Sequence, residues 1–110
     1  DALRCGDVNK FLIAVSESGI SSLNCLQNCF VPGSDEQPVV LALHMSERLI
    51  RDGAVRIHGG GFAGTILAYL ADTEVEDYVS EMGKVFGSEN VFTASVRIPG
   101  AARIDINNLL

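Results

Sequence analysis

The run from Arg56 to Leu70, RIHGGGFAGTILAYL, restricts this chain more than any other stretch. Ala54 to His58 and Thr65 to Leu70 both read as strands, and a glycine cluster joins them. Gly59, Gly60, Gly61 and Gly64 lack a Cβ, so main chain there reaches positive φ and approaches other groups closely, at an entropic cost. A two-residue hairpin turn needs one or two glycines, not four. A connection alone also leaves Phe62, an aromatic residue at the tip, without a reason. Surplus glycine in an extended setting marks close backbone approach. The segment from Gly59 through Gly60, Gly61, Phe62 and Ala63 to Gly64 is therefore read as a loop that shapes a phosphate-binding site.

Three better-known glycine loops are excluded by context. Gly59, Gly61 and Gly64 satisfy GxGxxG, but a dinucleotide site needs that loop to open a helix, and here it runs into a β-rich segment. No Gly-Lys-Ser/Thr follows, which removes a Walker loop. A protein-kinase glycine loop lies in a hairpin, yet neither the strand lysine nor the catalytic-loop aspartate motif follows.

Upstream, Val8, Phe11, Leu12 and Val15 mark one helical face, with Asp7 as its cap. The pattern falters at Ser16 to Gly19, where Gly19 is either a bend or a point of close approach, and Ile20, Leu23 and Leu26 resume it. Cys29 to Val31 is a short strand candidate stopped by Pro32-Gly33. Ser34 and Gln37 resemble a capping box ahead of a helix that opens at Pro38. That helix carries Leu41, Met45 and Leu49 on one line and Val39 and Leu43 beside it, and Gly53 is placed to end it in the left-handed conformation. Downstream, Thr73 and Glu76 cap a helix with Val75, Tyr78, Val79, Met82 and Phe86 on one face, and Gly87 ends it. Val91 to Val96 reads as a last strand, and Arg103 to Leu110 as a tail or one further strand.

From Cys29 onward the order is β-α-β-β-α-β, which predicts an α+β, ferredoxin-like sandwich: an antiparallel sheet with helices on one face and an extra N-terminal helix. At 110 residues the chain is read as one domain, 1–110. The net charge of −6 argues against nucleic-acid binding, which needs Lys and Arg to neutralise phosphates. Three cysteines without CxxC spacing argue against a disulfide framework or zinc site, and Cys25 and Cys29, four apart and so on one face of a helix, are expected as buried free thiols. No apolar run approaches the ~18 residues of a membrane span, and no signal peptide opens the chain, so the expected compartment is cytoplasmic. The abrupt opening at Asp1 suggests a piece of a larger protein.

With these residues in hand, RIHGGGFAGTILAYL resembles the third conserved motif of the GHMP sugar and isoprenoid kinases, in its galactokinase form. Leu3-Arg4-Cys5-Gly6-Asp7 is similar to the run that opens the matching helix, and SGISSLNCLQN to a segment of some bacterial galactokinase-like members. The likeness covers nearly the whole chain and implies the C-terminal domain alone. It implies that a missing N-terminal kinase domain supplies the ATP loop, the catalytic residues and thus the site for ATP and Mg²⁺. Gly59, Gly60, Gly61, Phe62, Ala63 and Gly64 would then support the nucleotide phosphates, while the sugar hydroxyl accepts the γ-phosphoryl group. Ala63 stands where many galactokinases have Gly, and Ser18-Gly19-Ile20-Ser21-Ser22 departs from their usual segment. Ser18, Gly19 and Ser21 are the candidates to face a sugar. No cofactor is expected on this chain alone, no catalytic residue is assigned, and its interdomain face is expected to self-associate.

Other residues have plainer readings. His58 and His44 lack partners at metal or catalytic spacing. The acidic run from Asp72 to Asp77 complements a helix N-terminus. A different class of function, a stand-alone ferredoxin-like domain that binds a small ligand and dimerises, fits the same element order.

Overall fold

The computed structural model describes residues 2–62 and 64–95. Helix α1 spans Val8–Ser21 and continues as a π-helical turn at Ser22–Leu26; α2 spans Pro38–Leu49 and α3 Val75–Phe86. Between α2 and α3 lie β1 (Gly53–Ile57) and β2 (Ile66–Leu70), an antiparallel pair. The architecture is α+β, with one two-stranded sheet and three α-helices among the described residues. No helix there is long and apolar enough to cross a membrane.

Register places Gly53 opposite Leu70 and Ile57 opposite Ile66. Beyond β1, the His58 N–H donates to the Thr65 carbonyl at 2.7 Å. Antiparallel alternation therefore sends the backbone polar groups of Ala54 and Arg56 toward β2, and those of Gly53, Val55 and Ile57 toward the opposite edge. Helix α1 covers that edge. A Cβ on Gly19 would sit 3.0 Å from the Val55 carbonyl oxygen and 3.2 Å from the Arg56 Cβ, so glycine sets the approach. Arg56 stitches the contact, donating through Nε to the Ile57 carbonyl at 2.9 Å and through Nη1 to the Ser18 hydroxyl at 2.8 Å. The faltering pattern at Ser16 to Gly19 is thus a helix seated on a strand, not a bend.

The two faces of the hairpin are covered differently. Ile57, with Val55 and Ile66, packs onto Val39 and Leu43 of α2, together with Cys29 and Leu23. Tyr69, on the other face, meets Phe11 of α1 edge to face, ring centroids 5.2 Å apart. Helix α3 reaches the rest through α2, where the Tyr78 and Ser46 hydroxyls lie 2.7 Å apart. Asp7 caps α1 as expected, its carboxylate accepting from the Lys10 N–H at 3.0 Å. Gly87, at φ 90°, ends α3.

Several expectations are corrected. Cys29 to Val31 forms no strand: Cys29 is fully buried in the core, and Val31 exchanges hydrogen bonds with the Gln37 side chain instead of a neighbouring strand. Residues 91–95 are not in a sheet, and Val96 with the tail from Arg103 lies outside the described residues. Of the four strands in the ferredoxin-like order, two form among the described residues. Ser34 does not cap α2, because Gln37 folds back onto the Ser34 and Val31 carbonyls and is itself the residue before the helix. Likewise Thr73 caps nothing. It lies in a 3₁₀ turn at Asp72–Glu74, and the Glu74 carboxylate turns to the Arg51 and Asp52 N–H groups, each at 3.1 Å. Gly53 does not terminate α2. It opens β1, where a Cβ would crowd the Tyr69 carbonyl and sit 2.9 Å from Ile50 Cγ2. The buried stripe of α2 is Val39, Ala42, Leu43 and Ser46, whereas Leu41 is exposed.

Candidate functional site

β1 and β2 deliver the two ends of the glycine loop, which leads from strand to strand and opens no helix. Gly59 has φ 62°, Gly61 φ 80° and Phe62 φ 53°. Left-handed backbone suits the glycines, but Phe62 holds it against the steric preference of a side-chain-bearing residue. Gly59 and Gly60 are open, since a Cβ on either would meet nothing within 4 Å. Neither of their N–H groups donates to a partner among the described residues. The Phe62 side chain is 58% exposed.

Gly61 is the opposite case. A Cβ there would overlap the Asn28 carbonyl oxygen and lie 2.9 Å from the Asn28 Cβ. Asn28 follows the π-helical turn, and its neighbour Gln27 is the other non-glycine residue with left-handed backbone among the described residues, φ 55°. The Asn28 carbonyl accepts from the Phe62 N–H at 2.6 Å, and its side-chain amide donates to the Gly60 carbonyl at 3.3 Å. Asn28 is 7% exposed, and the Cys29 thiol, 3.9 Å away, points at its side-chain oxygen. Burial pushes the Cys29 thiol above its ordinary pKa, keeping it neutral and unreactive.

The arrangement is a hairpin with its inner half docked on Asn28 and its outer half exposing main-chain N–H groups. Such groups on a turn attract anionic oxygens without adding a charged side chain. His58 is exposed at the strand end, its backbone paired to Thr65. His44 is exposed on α2, 4.0 Å from Glu47. Ala63 lies outside the described residues. Gly64 is exposed at the far end of the loop.

The second candidate group lies elsewhere. The Ser18 hydroxyl is engaged by Arg56, Gly19 presses on β1, and Ser21 is exposed at the end of α1. Gly19 and Arg56 also line a cleft of about 210 Å³ between α1, α2 and β1, with Leu23, Leu43 and Glu47. The residue the loop does touch, Asn28, had no sequence signal beyond a lone amide beside a cysteine. No group of three His, Cys, Asp or Glu side chains is placed to hold a metal ion among the described residues.

No protein-family model matches this chain, and no curated protein or solved structure does either.

Proposed function

We propose that the chain is the C-terminal domain of a galactokinase-type GHMP kinase, in which the loop from Gly59 to Gly64 braces a nucleotide-phosphate site built by an N-terminal domain. The observation that carries this reading is the pair of amides at Gly59 and Gly60, without a partner among the described residues and presented at the open lip of a strand-to-strand loop. Phosphoryl transfer depends on positioning and on stabilising charge over the phosphate oxygens, and fixed N–H dipoles serve both. When bound in the full-length parent, Mg²⁺ and ATP supply the phosphoryl group, and the acceptor is a sugar hydroxyl. This chain contributes main chain and shape: its glycines let the backbone come close, and no side chain of Gly59 or Gly60 intervenes.

The reading sets the chain in the cytoplasm, where ATP is abundant. It also gives a role to exposed Leu26, Phe30 and Phe62, which flank the Asn28 docking point in sequence or lie on the loop, as surface that a second domain covers. Without that domain the same surface promotes self-association.

Two measurements test the proposal. The longer polypeptide that carries this chain, once purified, should release ADP from Mg-ATP only when an aldohexose is supplied; no sugar-dependent release from any aldohexose refutes the assignment. Calorimetry on the 110-residue chain should show weak or no ATP binding. Tight, one-to-one binding would instead favour a self-sufficient small-ligand domain.

A further inference from the structure

We infer that Asn28 is the positioning residue of the glycine loop, the group that fixes which of its amides face outward. Three independent contacts converge on it. Its carbonyl takes the Phe62 N–H at 2.6 Å, its side-chain amide holds the Gly60 carbonyl at 3.3 Å, and only the missing Cβ of Gly61 lets the two segments meet. These bonds engage the Gly60 carbonyl and the Phe62 N–H, and among the described residues they leave the Gly59 and Gly60 N–H groups, with those of Gly61 and Gly64, without a partner.

The backbone around this contact is costly on both sides. Gln27 and Phe62, the two non-glycine residues with left-handed φ among those described, are the residue before Asn28 and the residue bonded to it. Strained backbone of this kind persists only where surrounding contacts over-determine it. Asn28 is 7% exposed, so its amide is shielded from competing water. Its hydrogen-bond pattern also needs an amide: the donor to Gly60 is an N–H, and the oxygen left over faces the Cys29 thiol. Aspartate, of the same shape, has no such donor when ionised.

The lock itself is a property of this chain. Its consequence for nucleotide binding rests on the proposed function, and the two are separable by experiment. In the 110-residue chain, amide exchange followed by NMR should find the Phe62 N–H protected and those of Gly59 and Gly60 unprotected. Asn28→Ser should speed Phe62 exchange about fivefold, the equivalent of one ordinary hydrogen bond, and Asn28→Asp, which turns a shielded carboxylate on the Gly60 carbonyl, by more, with the paired Arg56 and Leu43 amides unchanged. Gly61→Ala should abolish Phe62 protection altogether. In the longer polypeptide, Asn28→Ser should raise KM for ATP while leaving KM for the sugar unchanged.

An unprotected Phe62 amide in the unaltered chain overturns the lock without any variant being made. Wild-type protection in both Asn28→Asp and Asn28→Ser also overturns it. A faster Phe62 amide with unaltered KM for ATP overturns the positioning role. Faster exchange in a polypeptide with no sugar-dependent ADP release supports the lock and removes the kinase assignment.

Discussion

Replacing Ser46 or Tyr78 tests how α3 is held to the rest of the molecule. Ser46 is fully buried on α2, and its hydroxyl lies 2.7 Å from both the Ala42 carbonyl and the Tyr78 hydroxyl. A serine has one hydroxyl hydrogen, and a carbonyl can only accept. The Ser46 proton therefore goes to Ala42, and Tyr78 donates to Ser46. Tyr78→Phe removes that bond and should cost about 1 kcal/mol. Ser46→Ala strands the phenol donor and should cost about 1–2 kcal/mol, less than in a dry core because Tyr78 is only half-buried. The double variant should then show a coupling of about 1 kcal/mol in urea unfolding. A coupling within about 0.3 kcal/mol of zero would show that the two hydroxyls do not bond in solution.

The same pair makes a pH prediction. Burial pushes the Tyr78 phenol above its ordinary value, with a smaller opposing pull from the Ser46 hydroxyl. That pull requires Ser46 to abandon Ala42, so burial dominates. The unfolded phenol loses its proton near pH ~10, while the folded one holds it to higher pH. Above that pH the unfolded state binds fewer protons, and stability falls as pH rises until the folded phenol ionises too, by at most about 1.4 kcal/mol per unit. Below it the contribution is complete. The chain has two tyrosines and no tryptophan, so a Tyr69→Phe background leaves Tyr78 as the lone phenol for absorbance titration. Equal pH dependence with and without Tyr78→Phe in that background would refute the argument.

Three further outcomes follow from packing. Cys29 is buried as expected, but Cys25, expected beside it, is exposed, as is Cys5, so a thiol reagent should label two sites quickly and the third only on unfolding; three equal rates contradict the fold. Ile57 is 1% exposed between Cys29, Val39 and Leu43, so Ile57→Val should cost about 1 kcal/mol and Ile57→Ala about 3–4 kcal/mol in urea midpoints; under 1 kcal/mol for alanine contradicts its central place. Gly53→Ala should destabilise by more than about 2 kcal/mol, because its Cβ meets the Tyr69 backbone, which cannot swing aside; a stability gain would show that β1 and β2 are not paired there.

The hairpin and the three helices were legible because local chemistry dictates them: glycine between β-rich runs, a capping aspartate, and apolar residues at helical spacing. What failed was what depends on partners far along the chain. Cys29 to Val31 has strand composition, but its residues are used as core and as acceptors for Gln37, so composition misled. On α2, of the two lines expected, Val39 and Leu43 are buried, while Leu41, Met45 and Leu49, at a fourfold spacing that drifts around a 3.6-residue helix, are not. The stripe that is buried includes Ala42 and Ser46, which carry little hydrophobic signal. Of the site, the glycines were readable. Asn28 was not, because a contact across 32 residues leaves no local trace.

With α1 seated along one side of β1, this sheet can grow in one direction only. Among the described residues nothing takes up the outward-facing amides and carbonyls of Ile66, Ala68 and Leu70. Any further strand, from this molecule or another, must be recruited there, in a register set by those three alternating positions. An apolar ribbon reading ILAYL is an inviting template for unwanted addition. Nothing in its own sequence guards it: it holds no lysine and no proline. Whatever shields that margin therefore protects the molecule from assembling on itself.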